Sequence, residues 1–147
     1  SAEDGAKVLK VIPSLVPDRG AVKIAEGAIA LGAMPFSPDG DRMVITRNAG
    51  QGDTLEIIPT GEPGAPETLG PGQCAQWRPA NSGIVALAPD AAGKRQVTAI
   101  GGEAPHTRTP LTAKENGVGD RLILSGDGRH ALVSAADRAS LLLVTLP

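Results

Sequence analysis

Short aliphatic runs, separated by turns rich in Gly, Pro, Asp and Asn, recur along this chain. Two of them are apolar almost without a break: Ile84-Val85-Ala86-Leu87-Ala88 and Leu141-Leu142-Leu143-Val144. A run of that length reads as a strand buried on both faces, because a strand with one wet face alternates apolar and polar residues. Sheets stacked between neighbouring sheets would demand such runs.

The runs are periodic. Lys7–Pro13, Thr54–Pro59, Gln96–Gly101 and Leu141–Pro147 align on the anchors Ile12, Ile58, Ile100 and Leu146, which recur every 42 to 46 residues. A second feature keeps the same frame. Phe36-Ser37-Pro38-Asp39-Gly40 precedes Arg42-Met43-Val44-Ile45-Thr46, and Trp77-Arg78-Pro79-Ala80-Asn81-Ser82-Gly83 precedes Ile84-Val85-Ala86-Leu87. Leu124-Ser125-Gly126-Asp127-Gly128 precedes His130-Ala131-Leu132-Val133-Ser134. Two independent features with one period predict a structural repeat.

Each part of the repeat has a local cause. Asp-Gly and Asn-Ser-Gly favour tight turns, since Gly accepts positive φ and Asp or Asn bonds nearby backbone. Pro38 and Pro79 preset φ at the turn entry. Aliphatic and β-branched runs follow as strands. Polar loops come next (Arg47–Asp53, Pro89–Lys94, Ala135–Ser140), then the anchored runs, then short runs at Ala21–Ile24, Glu67–Leu69 and Thr107–Leu111. Three to four strands per period are expected. Gly20–Ala33 and Ala131–Leu146 could also be read as helices. Gly27 and Gly32 would cost the first about 1 kcal/mol each relative to Ala, and the second keeps the repeat register.

The Phe36-Ser37-Pro38-Asp39-Gly40 turn with Met43-Val44-Ile45 resembles the blade turn of TolB-like and YVTN-type β-propellers. Trp77-Arg78-Pro79 and Leu124–Gly128 resemble degenerate copies, and the resemblance covers residues 7–147. The YVTN tetrapeptide is absent; Val44-Ile45-Thr46-Arg47-Asn48 is its nearest relative. The resemblance implies an all-β fold of antiparallel, radially arranged blades, and commonly an exported bacterial protein, periplasmic or extracellular. The expected architecture is a single β-repeat domain or propeller segment over residues 1–147, about three blades' worth. Closed propellers have about 4–8 blades, so such a chain is expected to belong to a larger or oligomeric propeller. Exposed strand edges would then pair with a protein partner or a second copy. The start at Ser1-Ala2-Glu3-Asp4-Gly5, without Met, fits either a mature end after signal-peptide removal or an artificial boundary in a longer chain.

Composition narrows the chemistry. Leu, Ile and Val supply 33 residues, while Phe36 and Trp77 are the only aromatics, so the core must be aliphatic. The formal net charge of −2 gives no general pull toward nucleic acid or anionic membrane, and the stacking platforms of RNA readers are missing. The cluster Lys7, Lys10, Arg19 and Lys23 reads as a solvated face. No apolar stretch reaches the roughly 18 residues of a membrane span. Cys74 stands alone, which excludes an intrachain disulfide and a multi-Cys zinc site; it reads as a small buried hydrophobe.

No catalytic, metal or cofactor set is expected. His106 and His130 fall at different phases of the repeat, and a metal site needs converging ligands. Ser125 sits in a repeat turn rather than a nucleophile elbow. Gly50-Gln51-Gly52-Asp53 lacks the Lys-Ser or Lys-Thr of a phosphate loop. Asp39 and Asp41 read as a solvated turn.

The candidate binding face is the set of loops between second and third strands, because loops on a rigid scaffold carry binding residues. It comprises Arg47, Asn48, Gln51, Asp90, Lys94, Arg95, Asp137 and Arg138, with Asn48, Asp90 and Asp137 recurring in one phase. The expected function is a non-catalytic protein- or ligand-binding or scaffolding module. The alternative is a propeller segment or subunit of a hydrolase or oxidoreductase whose catalytic residues lie elsewhere.

Overall fold

The computed structural model describes residues 8–11, 22–48, 52–61, 64–79, 83–112 and 117–147. The anchor Ile12, the basic residues Lys7 and Arg19, and the candidate residue Gln51 lie outside these. Among the described residues thirteen strands run in order: β1 (Val8–Val11), β2 (Val22–Glu26), β3 (Ile29–Ala30), β4 (Arg42–Asn48), β5 (Asp53–Pro59), β6 (Glu67–Pro71), β7 (Gln73–Trp77), β8 (Ile84–Pro89), β9 (Arg95–Ile100), β10 (Arg108–Pro110), β11 (Val118–Leu124), β12 (His130–Ala135) and β13 (Leu141–Thr145). They form four antiparallel sheets, β1-β2, β3-β4-β5-β6, β7-β8-β9-β10 and β11-β12-β13. No described residue is helical. The two stretches open to a helical reading form β2 and β3, and β12 and β13.

The sheets stack in chain order. Val44, Leu55 and Ile57 of the second sheet meet Trp77, Ile84 and Ile100 of the third. Val85, Leu87 and Val97, on the opposite face of the third, meet Leu122, Ala131 and Val133 of the fourth. On the other side, Met43, Ile45 and Ile58 pack against Leu9 and Ala25 of the first sheet. The anchors Ile58, Ile100 and Leu146 are all buried, each facing the sheet that precedes its own. That shared environment is why they recur. Ile84–Ala88 is buried on both faces, as its unbroken apolar run requires. Leu141–Val144 departs from the expectation: Leu141 and Leu143 are exposed, because no described sheet covers their side of β13.

Polar bonds set how the sheets are offset. The buried Gln76 amide donates to the Leu122 carbonyl at 2.7 Å and accepts from the Leu124 amide at 3.4 Å. Its side chain thus stands in for a strand neighbour of β11. Arg42 donates to the Gly102 carbonyl at 2.7 Å and lies 5.0 Å from the centre of the Trp77 ring. Arg78 donates to the Gly128 carbonyl at 3.2 Å, tying the third sheet to the fourth.

The turn repeat is reproduced atom for atom. Ser37 Oγ donates to Asp39 Oδ1 at 2.5 Å and accepts from the Arg42 amide at 3.0 Å. Ser125 Oγ donates to Asp127 Oδ1 at 2.6 Å and accepts from the His130 amide at 3.0 Å. These serine hydroxyls, and next the backbone amides of Asp41 and Arg129, hold both carboxyls below the ordinary aspartate value. Gly40 and Gly128 follow at φ 79° and 68°, a conformation that favours glycine.

Two predictions follow from this packing. Gly32 approaches β7 so closely that an added Cβ would stand 2.3 Å from the Ala75 carbonyl oxygen. Gly32→Ala should cost about 1–3 kcal/mol in denaturant unfolding. Gly61→Ala, with nothing within 4 Å, should change stability by less than about 0.5 kcal/mol.

The second concerns acid. A carboxyl whose pKa is lowered by folding stabilises the fold above its unfolded value, and that stabilisation is lost as pH falls through the folded value. The double change Ser37→Ala, Ser125→Ala should lower the melting temperature at neutral pH. The gap to wild type should narrow in acid, once Asp39 and Asp127 are protonated in both proteins, leaving the part due to the Arg42 and His130 amides that lose their serine acceptors. A gap that stays constant with pH would contradict the assignment.

Candidate functional site

Strands β3, β7 and β11 lead their sheets and face one another. A recess of about 550 Å³ opens between them. Its walls are apolar at Ile29, Ala30, Leu122 and Ile123, and polar at Asn48, Asp53, Gln73 and Asp120. Irregular backbone shapes it. The β7–β8 register shifts between Gln73 and Gln76, and the β11–β12 register shifts between Val118 and Leu122. Such bulges re-aim side chains. Cys74, within the first, has a φ of 54°.

A second recess of about 600 Å³ lies beside it, and Asp53 and Gln73 line both. With its amide oriented to satisfy both neighbours, Gln73 donates to Asp53 Oδ2 at 3.0 Å and accepts from Arg95 Nε at 3.2 Å. Asp53, Gln73 and Arg95 therefore form a hydrogen-bonded ridge between the two hollows. Arg138 donates to Asp120 Oδ2 at 3.0 Å on the fourth sheet. The rim carries acids and bases in pairs, so a ligand meets local dipoles rather than one sign of charge.

Cys74 faces the first recess and is half buried. Its Sγ donates to the Asp120 carbonyl at 3.3 Å. Burial pushes the thiol pKa up, the negative charges of Asp120 and Asp53 push the same way, and Arg95 opposes them. A nucleophilic cysteine needs the reverse shift. Among the described residues, no three His, Cys, Asp or Glu side chains converge to hold a metal ion. His106 spends both ring nitrogens on Gly101 O at 2.8 Å and Glu67 Oε2 at 2.9 Å, joining the second and third sheets.

The residues expected at the loop face divide by role. Asn48 lines the first recess, Arg95 the second, and Arg138 binds Asp120 at the rim. Arg47 turns away: its guanidinium meets Glu56 at 3.0 and 3.1 Å and the Glu26 carbonyl at 2.8 Å. Asp90 accepts the amides of Ala92 and Lys94 at 2.9 Å, and Asp137 accepts that of Ala139 at 2.9 Å. Both close their own turns. Lys94 runs past Gly117, where an added Cβ would come within 2.7 Å of its Cε.

Asp53, Gln73, Cys74 and Asp120 were missing from the expected face. Asp53 and Asp120 bracket the hollow from different sheets, a pairing no sequence spacing announces. Gln73 and Gln76 carried one usable signal: two amides in a strand that otherwise reads as core.

No family model matches the chain, and no curated protein matches it. Solved structures do. One, assigned as a TolB from Agrobacterium tumefaciens, matches 92% of this chain and 50% of its own length, with 17% identity and a TM-score of 0.63. Another, assigned as a 6-phosphogluconolactonase from Bacteroides uniformis ATCC 8492, matches 97% of this chain and 44% of its own length, with 12% identity and a TM-score of 0.56. The chain thus spans about half the length of these structures. At such identities the likeness is one of fold, and with the stacked antiparallel sheets it places this chain among proteins of β-propeller type.

Proposed function

We propose that this chain is a non-catalytic binding module that holds an extended segment of a partner protein across the recess between β3, β7 and β11. The observation that carries the reading is the hydrogen-bonded ridge Asp53–Gln73–Arg95 dividing two hollows. Backbone amides and carbonyls of a peptide can exchange with such paired polar groups, while the apolar walls accept its side chains. The upward shift of Cys74 fits binding rather than nucleophilic chemistry. The outer edge of β13 pairs with no other described strand, so edge pairing with a partner or a second copy belongs to the same proposal. The likeness of the Phe36–Gly40 turn to exported propellers supports a periplasmic or extracellular setting. No helix among the described residues is long and apolar enough to cross a membrane. A second reading, a propeller segment of a hydrolase whose catalytic residues lie elsewhere, draws on the structure assigned as a 6-phosphogluconolactonase; turnover of that lactone only when a further polypeptide joins this chain would favour it.

Peptides selected from a random library on the immobilised chain should bind it in solution. Gln73→Arg, which fills the ridge, should weaken them about 10-fold or more, and Arg129→Ala, at the far end of β12, should not. Failure to enrich any peptide, or equal binding to Gln73→Arg, would overturn the proposal. Cys74 should alkylate with iodoacetamide more slowly than free cysteine at the same mildly alkaline pH, measured by intact mass. Faster alkylation would restore a nucleophilic role.

A further inference from the structure

The terminal nitrogens of an arginine form a planar fork that matches the two oxygens of a carboxylate. In this fold the arginines withdrawn from solvent have mostly spent that fork. Arg42 donates from both terminal nitrogens, to the Gly102 carbonyl at 2.7 Å and to Glu103 Oε1 at 2.6 Å. Arg47 gives one to the Glu26 carbonyl at 2.8 Å, Arg78 one to the Pro147 carbonyl at 2.8 Å, and Arg108 one to the Pro71 carbonyl at 2.6 Å. Arg95 is different. It is half buried and its Nε is held by Gln73 at 3.2 Å, but neither terminal nitrogen has a partner among the described residues.

Arg95 lines the second hollow, which lies between the second and third sheets. Both walls come from the middle of the stack, so the hollow does not depend on what lies beyond the first or the fourth sheet. Its mouth is open at two turn glycines, Gly52 and Gly93, where an added Cβ would meet nothing within 4 Å. Hydroxyls of Thr54 and Thr68 line it as well. The other charged lining residue is Asp53, and Gln73 stands between the two charges, donating to Asp53 Oδ2 at 3.0 Å while accepting from Arg95 Nε. A direct pair of Asp53 with Arg95 would consume the fork; the amide spacer leaves it available. Behind the wall, Arg108 bonds the Pro71 carbonyl and reaches to 2.9 Å from where a Cβ of Gly70 would stand. Two guanidiniums against one carboxylate favour a singly charged anion. A phosphate dianion would set a second negative charge against Asp53.

We propose that the second hollow holds a carboxylate of the bound segment, its C-terminus or an acidic side chain, in the terminal fork of Arg95. This rests on the peptide-binding reading above and adds the group by which the second hollow selects its ligand. The segment crosses the ridge with apolar side chains in the first recess and its carboxylate in the second. Gln73 is the positioning residue that fixes the guanidinium through Nε.

Peptides selected on the immobilised chain from a random library displayed with free C-termini test it. Each is resynthesised as the free acid, as the C-terminal amide, and with its Asp and Glu replaced by Asn and Gln, and titrated by fluorescence anisotropy. One of the two neutralisations should weaken binding to the wild type about 10-fold or more, and which one does so tells the C-terminus from a side chain. In Arg95→Gln the same ratio should fall to less than about 2-fold. A ratio taken within one protein cancels any general loss of stability in the variant. Arg95→Lys keeps the charge without the fork and carries the comparison where Arg95→Gln binds too weakly to titrate; its ratio should fall at least about 3-fold. Arg129→Gln, at the far end of β12, should preserve the wild-type ratio. Peptides that bind equally well in every neutralised form would overturn this proposal and leave the binding module standing. So would a ratio that survives the changes at Arg95, which would put the carboxylate elsewhere. Failure to enrich any peptide would overturn both.

Discussion

Each strand in the middle of this stack has to bury both of its faces. A sheet flanked by sheets can hide only what fits an aliphatic layer on either side, and this chain has almost nothing but aliphatic residues to offer. Val44 and Met43 are neighbours in sequence yet belong to different cores, as are Ile84 and Val85. Burying one such side chain contributes about 1.5–3 kcal/mol, against about 0.5–1.5 kcal/mol net for a hydrogen bond. The aliphatic layers therefore supply the larger part of the driving force, and polar groups set how one sheet slides over the next.

Gln76, Arg42 and Arg78 perform that second task. Leu-on-Val contacts tolerate small displacements, because dispersion and hydrophobic burial are non-directional. A buried amide joined to the Leu122 carbonyl and the Leu124 amide does not. Leaving those groups unpaired would cost about 1–3 kcal/mol, enough to select one offset among several that pack equally well. The offset in turn decides that Asp53, Gln73 and Asp120, from three different sheets, border one hollow.

The turns show how far short-range chemistry reaches. Ser37-Pro38-Asp39-Gly40 and Ser125-Gly126-Asp127-Gly128 share only part of their sequence, yet their serine, aspartate and amide bonds coincide. The serine hydroxyl, the aspartate two residues on and the positive-φ glycine are enough to define the loop. The same logic explains Asp90 and Asp137. Their recurrence suggested a shared ligand, but each carboxylate is engaged with amides of its own turn, so their common phase has a local cause.

From the sequence alone came the strand content, the period and the turn geometry, because these depend on neighbours within one repeat; the burial of Ile58, Ile100 and Leu146 was legible too, because each meets the preceding sheet in the same phase and so recurs with the period. Of the loop residues it proposed, Asn48, Arg95 and Arg138 stand at the two hollows, whereas Arg47 is taken up by Glu56 and Glu26. Only the tertiary structure decided the ridge of Asp53, Gln73 and Arg95, the half-buried thiol facing Asp120, and the open face of β13. Those features depend on which sheets meet and at what offset. That is set by contacts between residues tens of positions apart, which leave no periodic trace in the chain.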